Sequence, residues 1–212
     1  VIKIDAPISL AIAVLLPILL LNQTLGRFEG GVLCVGIFAY TWMNLYLGRK
    51  AASEAHSNVS SSSVSRHWLI DVTLIVAGLG ILVLGSHILV DHAVALAKSL
   101  HVSEAVIGLT IVAAGTSMPE LATSVVAAFR KEPDIAIGNI IGSNIFNIFG
   151  ILGLASIVSP LHAPGVSLLE YTVMIGFTAL LIPLLYTGRF LHRFEGVALL
   201  ILYGAYLFII WP

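Results

Sequence analysis

Long apolar runs, separated by short clusters of charged and turn-forming residues, set the pattern of this chain. Seven runs approach or exceed the roughly 20 residues that a membrane-spanning helix needs. They lie at about 4–24, 29–47, 68–97, 103–129, 135–159, 166–188 and 194–211. Few residues separate them except at 48–67, GRKAASEAHSNVSSSSVSRH, a segment rich in Ser, Ala and His that reads as a flexible linker. Asn58-Val-Ser60 within it matches a glycosylation sequon by chance. The first run lacks a basic leading region and a small-residue cleavage site, so it reads as a span and not a signal peptide. Residue 1 is Val, which implies an N-terminus that is processed, truncated or incomplete.

Composition agrees with the pattern. The chain of 212 residues is 58% hydrophobic and 10% charged, against about 25% charged for a soluble domain, and its mean hydropathy is +1.05. A net charge of −1 gives no reason to expect nucleic acid. Cys34 is alone, which excludes an intramolecular disulfide, and it reads as a small core residue. If the spans alternate and 48–67 is cytoplasmic, the inner side holds Lys3, Arg49, Lys50, Arg66, Arg130, Lys131, Arg189 and Arg193, and the outer side only Arg27 and Lys98. The positive-inside rule then places the C-terminus outside, in a plasma (inner) membrane.

An internal repeat organises the spans. Residues 25–30, LGRFEG, return as 191–196, LHRFEG, at an offset of 166. In the same register Pro17 meets Pro183, Leu33 meets Leu199, and Ala39-Tyr40 meets Ala205-Tyr206, with twelve of 28 positions identical from Ala13 to Tyr40. The first two spans therefore recur as the last two. Five spans separate equivalents, an odd number, so the copies face opposite ways. Inverted repeats of this kind mark secondary transporters with a binding site at the midplane between repeats. Residues 68–212 form a complete five-span repeat, 1–47 supply the last two spans of the other, and the linker 48–67 joins them. Seven of ten expected helices are thus present, and the arithmetic expects about 100 residues upstream to supply the other three spans.

Two stretches carry chemistry. In AAGTSMPELATS, residues 113–124, Thr116 and Glu120 are four apart and Ser117 and Glu120 three apart, so their oxygens can share a helix face. Pro119 lacks an N–H and its ring displaces the carbonyl four residues back, so a bend is predicted there. Carbonyls from Ala113 to Gly115 then lose internal partners, which membrane depth tolerates only beside protein or a cavity. A carboxylate, two hydroxyls and carbonyls are hard oxygen ligands suited to Ca²⁺ and to Na⁺. In GNIIGSNIFN, residues 138–147, the stripe Asn139, Ser143, Asn147 supplies a second polar wall, while Gly138 and Gly142 have the spacing of a close helix contact. An intramembrane carboxylate is costly, so Glu120 reads as functional. Thr123 and Ser124 read as hydroxyls bonded back to their own helix, and Asp91, His87 and His92 as interfacial or capping groups.

The motifs GTSMPELATSVVAA and GNIIGSNIFNIFGILG together resemble the second alpha-repeat of the calcium/cation antiporter superfamily, whose best known branch is the sodium/calcium exchangers. The resemblance covers 68–212, and the earlier pair of spans fits the end of the family's first half. It implies an all-helical, ten-helix inverted-repeat antiporter that exchanges Na⁺, or H⁺ in some branches, for Ca²⁺, without a cofactor. By that resemblance Glu120 and Thr116 bind Ca²⁺, and the Ala113 carbonyl with Thr116, Ser117 and Ser143 helps to form Na⁺ sites. Asn147 stands where potassium-dependent relatives have Asp, which argues against K⁺ coupling. The family's second glutamate belongs to the first repeat, so this chain would hold half of the site and need the missing helices as partners.

Two other readings stand beside this one: an inverted-repeat transporter of another solute, and a non-transporting membrane assembly fragment. The short oxygen ligands favour a bare cation over a larger solute. An intramembrane protease is disfavoured, because Ser117 has no mid-span His or Lys base.

Overall fold

The computed structural model describes residues 2–55, 68–100, 107–164, 166–188 and 192–210. The apolar runs become helices: α1 (Ile2–Leu19), α2 (Arg27–Ala55), α3 (Trp68–Ser99), α4 (Ala113–Thr116), α5 (Met118–Phe129), α6 (Pro133–Ile145), α7 (Gly153–Val158), α8 (Leu168–Gly188) and α9 (Arg193–Ile210). π-helical turns precede α4 at Gly108–Val112 and join α6 to α7 at Phe146–Leu152. Among the described residues, four helical segments are long and apolar enough to cross a membrane: Arg27–Lys50, Trp68–Ser99, Pro133–Val158 and Leu168–Tyr186. The pair Thr110–Thr116 and Met118–Phe129, bent by 53°, makes up to five. Ile4–Leu19 occupies the first expected span but is shorter.

Local sequence sets the helix ends. Ser167 opens α8 with a capping box: its hydroxyl accepts from Leu169 N–H at 3.2 Å, and Glu170 Oε2 accepts from Ser167 N–H at 2.8 Å. At the end of α5, Glu132 N–H reaches Ala127 O at 2.9 Å and Lys131 N–H reaches Ala128 O at 3.1 Å. Lys131 takes the left-handed conformation (φ 59°) that this cap requires. Pro133 then starts α6 where a missing N–H costs nothing. One helix end departs from expectation. α2 runs on through Gly48–Ala55, where a linker was predicted. Apart from Gly48, Arg, Lys, Ala and Glu favour helix there and Ser tolerates it. The rest of that linker, with Asn58, lies outside the described residues.

The chain divides into two compact units, residues 1–62 with 140–192 and residues 63–139 with 193–212. In the first unit α1 packs on α8, and α2 packs on α7 and the π-turn before it. Ile12, Ala13, Leu16, Leu25, Leu33, Ile141, Ile145 and Leu185 are buried there. The closest approach is at Gly30, where a Cβ would overlap Ser156 Oγ and lie 2.8 Å from the Gly153 carbonyl. Ser156, fully buried, turns its hydroxyl onto its own helix at Leu152 O and Gly153 O. Buried Cys34 packs against Gly153, as expected for a core thiol. A two-residue antiparallel ribbon, Thr24–Leu25 on Leu161–His162, ties the α1–α2 loop to the α7–α8 loop.

In the second unit α3 lies against the bent pair α4–α5 and the π-turn before it. Its 32 residues, about 48 Å at 1.5 Å per residue, turn one stripe inward: Leu82, Ser86, Val90, Val94 and Ala97. Residues that match in the sequence fall at matching places in the helices. α1 and α8 each carry an internal proline, Pro17 and Pro183, and α2 and α9 open on the same residues, Arg27 and Arg193.

The Gly30 contact yields a prediction. Gly30→Ala places a methyl group into the α2–α7 contact and should destabilise by about 1–3 kcal/mol. A Cβ at neighbouring Gly31 meets nothing within 4 Å, so Gly31→Ala should be neutral or stabilising by up to about 1 kcal/mol. Thermal unfolding in detergent should show the opposite signs; equal behaviour of the two variants would contradict the packing.

Candidate functional site

The predicted bend is present and its position is set by three residues. α4 ends at Thr116, Ser117 leaves the helical conformation (φ −93°, ψ 4°), and α5 restarts at Met118 with Pro119 in its first turn. A proline in a first turn removes no bond that α5 would otherwise make. The loss falls on α4, whose last carbonyls lose their regular N–H partners across the break. The sequence predicts those carbonyls to be open, and the structure gives each of them a partner. Thr116 Oγ1 donates to Ala113 O at 3.0 Å. Ser117 N–H reaches Ala114 O at 3.2 Å. Ser86 Oγ, arriving from α3, donates to Gly115 O. Gly115 is buried, and a Cβ on it would overlap the Val90 methyl one turn along α3 from Ser86.

These bonds leave acceptor capacity around the break. A carbonyl oxygen has two lone pairs, and Thr116, having spent its proton on Ala113, presents oxygen lone pairs. Glu120 stands in the first turn of α5 and its Oε2 is buried with no hydrogen-bond partner. Among the buried side-chain polar atoms described, it is the one left unsatisfied. A buried carboxylate oxygen without a donor is expensive. Among the described residues no three His, Cys, Asp or Glu side chains cluster as metal ligands, so any cation here would rely on hydroxyls and carbonyls beside the one carboxylate.

α6 is bound to α5 by Asn139. Its Nδ2 donates to the Glu120 carbonyl at 2.9 Å and to Ser124 Oγ at 3.0 Å. The amide thus fixes the backbone of the residue whose carboxylate is unpartnered. Ser124, expected to bond back to its own helix, instead accepts from Asn139, because a helix-spanning amide supplies a donor at that height. Thr123 follows expectation, donating to Pro119 O at 2.9 Å. Farther along α6, in the first unit, Ser143 Oγ donates to Ile140 O at 3.1 Å. Asn147 is exposed at the start of the π-turn. Ala113, Thr116 and Ser117 are exposed as well. Gly142 does not mark a close contact among the described residues: a Cβ there would meet nothing within 4 Å. Close contacts fall at other glycines: Gly30 and Gly153 where α2 meets α7, Gly36 against Phe149, and Gly115 against Val90. On α3, His92 Nδ1 donates to Ile88 O at 2.8 Å, an arrangement local to its own helix.

Two residues escaped the sequence reading. Ser86 looked like one more small residue in an apolar span; its place in the inward stripe of α3 was the available signal. Asp5 is buried near the start of α1 and accepts a hydrogen bond from Tyr40 of α2 at 3.0 Å. Its four-residue spacing from Ser9, also buried, was the hint.

Comparison with known proteins places these features. The family model described as "Sodium/calcium exchanger protein" matches residues 70–211. A putative antiporter, CaxA, of Alkalimonas amylolytica is 34% identical over 218 residues, covering 99% of this chain and 68% of its own. The sodium/calcium exchanger MaX1 of Methanosarcina acetivorans is 40% identical over 142 residues, covering 66% of this chain and 41% of its own. Among solved structures, the sodium-calcium exchanger NCX_Mj soaked with 2.5 mM Na⁺ and 10 mM Sr²⁺ superimposes with a TM-score of 0.74 at 27% identity, over 95% of this chain and 63% of that one. The chain therefore spans between about two fifths and about two thirds of the length of these relatives.

The Asn139 clamp predicts an unequal pair of variants. Asn139→Ala removes both donors and leaves the Glu120 carbonyl and Ser124 to find others, at about 1–3 kcal/mol. Ser124→Ala removes one acceptor while the amide keeps the other, and should cost under about 1 kcal/mol. Thermal unfolding of the two in detergent checks the order; a larger loss for Ser124→Ala would contradict it.

Proposed function

This chain belongs to the sodium/calcium exchanger family, within the calcium/cation antiporter superfamily, and from that premise we propose that it contributes one half of a Ca²⁺ site to an antiporter driven by Na⁺ or H⁺. The family consists of membrane transporters and not enzymes, and the apolar helices fit an integral, multi-pass membrane protein. The observation that carries the proposal is Glu120 Oε2, buried and unpartnered beside a broken helix whose Thr116 hydroxyl has given its proton to Ala113 O. Such a site favours a cation over a neutral or anionic solute. One carboxylate cannot neutralise Ca²⁺, so a second is expected from the repeat whose motif helices would lie upstream, completing ten helices. The exposed Thr116, Ser117 and Asn147 fit this: polar groups in spans want protein or a cavity over them. In this reading Glu120 and Thr116 ligate Ca²⁺, while Ala113 O, Ser117 and Ser143 serve Na⁺. Asn139 acts on the site through the Glu120 backbone, and Asn147 bears on selectivity. The family resemblance that proposed Na⁺ and H⁺ as driving ions supports both, and the site chemistry accepts either.

The test is made in the full-length polypeptide. Glu120→Gln keeps the shape but removes the charge, and Coulomb terms grow several-fold as the effective dielectric falls from water towards about 20. Ca²⁺ uptake into vesicles should fall to background at normal protein abundance. Thr123→Ala, whose hydroxyl serves its own helix, should transport nearly as wild type, and Asn147→Asp should change cation selectivity without abolishing flux. Unchanged Ca²⁺ flux in Glu120→Gln would remove the proposal. The charge distribution further proposes a cytoplasmic 48–67 segment and an external C-terminus. A cysteine substituted for Ser61 should react with an impermeant reagent only from the inside, and reaction only from outside would overturn that orientation.

A further inference from the structure

Ser86 lies outside both motifs, on a helix that no part of the proposed cation site uses. It is the hydroxyl in the inward stripe of α3, between Leu82 and Val90. Its partner is the carbonyl that the sequence of the next span deprives of a donor. In an unbroken helix Gly115 O would accept the N–H of residue 119, but residue 119 is proline. At membrane depth a carbonyl without a donor is costly, and Ser86 Oγ supplies the donor. Val90, one turn further along α3, fills the space where Gly115 lacks a Cβ. Both contacts fall on the same residue, so α3 fixes the position and the carbonyl direction of Gly115, immediately before Thr116 and five residues before Glu120.

We propose that Ser86 is a positioning residue for the cation site: its hydroxyl holds the Gly115 carbonyl that Pro119 displaces, and thereby sets the orientation of Thr116 and the bend that brings α5 and Glu120 into place. The inference rests on the reading of Glu120 as a cation ligand. Ser86 itself need not touch the ion. Without its hydroxyl the Gly115 carbonyl must turn to find another donor, and the α4–α5 bend relaxes with it. A site of mixed hydroxyl, carbonyl and carboxylate ligands then loses its geometry while keeping all of its ligands. The effect belongs in the apparent affinity for Ca²⁺ more than in the maximal rate.

The experiment measures the Ca²⁺ dependence of uptake in vesicles holding the full-length polypeptide, normalised to folded protein, with Glu120→Gln in parallel. Ser86→Ala should raise the apparent KM for Ca²⁺ about tenfold with less than a threefold change in maximal rate, and Ser86→Thr, which keeps the hydroxyl, should restore it to within about threefold of wild type. A purely structural role would lower abundance or Tm and leave the KM of the surviving protein unchanged, and that result overturns the proposal. Equal loss in Ser86→Ala and Ser86→Thr also overturns it, since the hydroxyl would not be the cause. Should Ser86→Ala fail to accumulate, the Pro119→Ala background decides. That substitution returns an N–H to residue 119, so Ser86→Ala should then accumulate as Pro119→Ala alone does, and failure to do so overturns the proposal. If Glu120→Gln transports normally, the cation-site reading fails; if it is inactive and Ser86→Ala has a wild-type KM, only the positioning role fails.

Discussion

A backbone carbonyl inside a membrane must have a donor, and Pro119 removes the one that Gly115 would use. Much of the local architecture of the second unit follows from that constraint. The helix ends at Thr116, restarts at Met118 and bends by 53°. Nearby hydroxyls and N–H groups turn to the exposed carbonyls: Thr116 to Ala113, Ser117 N–H to Ala114, Ser86 to Gly115. Each of these donors is then unavailable to Glu120, whose Oε2 is left buried without one. The break thus does two things at once. It engages the Thr116 hydroxyl, the Ser117 N–H and the Ser86 hydroxyl, and it leaves a carboxylate oxygen buried without a donor.

The first unit answers a different constraint, close packing between helices. Gly30 and Gly153 let α2 and α7 approach until Ser156 and Cys34 lie in the seam. Lacking an outside partner, Ser156 bonds back to its own helix twice. The π-turn at 146–152 sits directly before this seam. Such insertions commonly occur at functional sites. Here it begins one residue before Asn147 and so changes the phase of the polar stripe that Asn139 and Ser143 start. The elements of the internal repeat, a proline-bearing helix followed by one opening on Arg-Phe-Glu-Gly, are used twice along the chain.

Much of this was legible in the residues. The helical class, the bend beside Pro119 and the self-bonding of Thr123 follow from rules that act within a few residues. The family follows from two motifs read together. What was not legible depends on contacts across helices. Nothing near Ser86 in the sequence says that its hydroxyl meets a carbonyl 29 residues away. Asn139 read as a ligand by its spacing from Ser143, and its amide nitrogen is spent on the Glu120 backbone and Ser124. Gly142 fitted a small-residue spacing, yet the close seam is at Gly30, a residue the repeat singled out for another reason. The helix end at Ala55 was misplaced because the cluster of small and polar residues there weighs towards a linker in composition and towards helix in intrinsic preference.

The central claim is that Glu120 lacks a cation and not a hydrogen-bond donor. Equilibrium Ca²⁺ binding to the purified full-length protein in detergent, at fixed low Na⁺, tests it most directly when wild type is compared with Glu120→Gln. A ligand that binds only the folded state raises Tm by mass action, so the same samples give a second readout in Ca²⁺-dependent thermal unfolding. The account predicts saturable Ca²⁺ binding and a rise in Tm for wild type, with both lost in Glu120→Gln while its Tm without Ca²⁺ is equal to or above that of wild type, because an unpaired buried charge has been removed. Retained Ca²⁺ binding in Glu120→Gln would show that the ion is held without this carboxylate, and a fall in its Ca²⁺-free Tm would show that the carboxylate already has a partner within the protein.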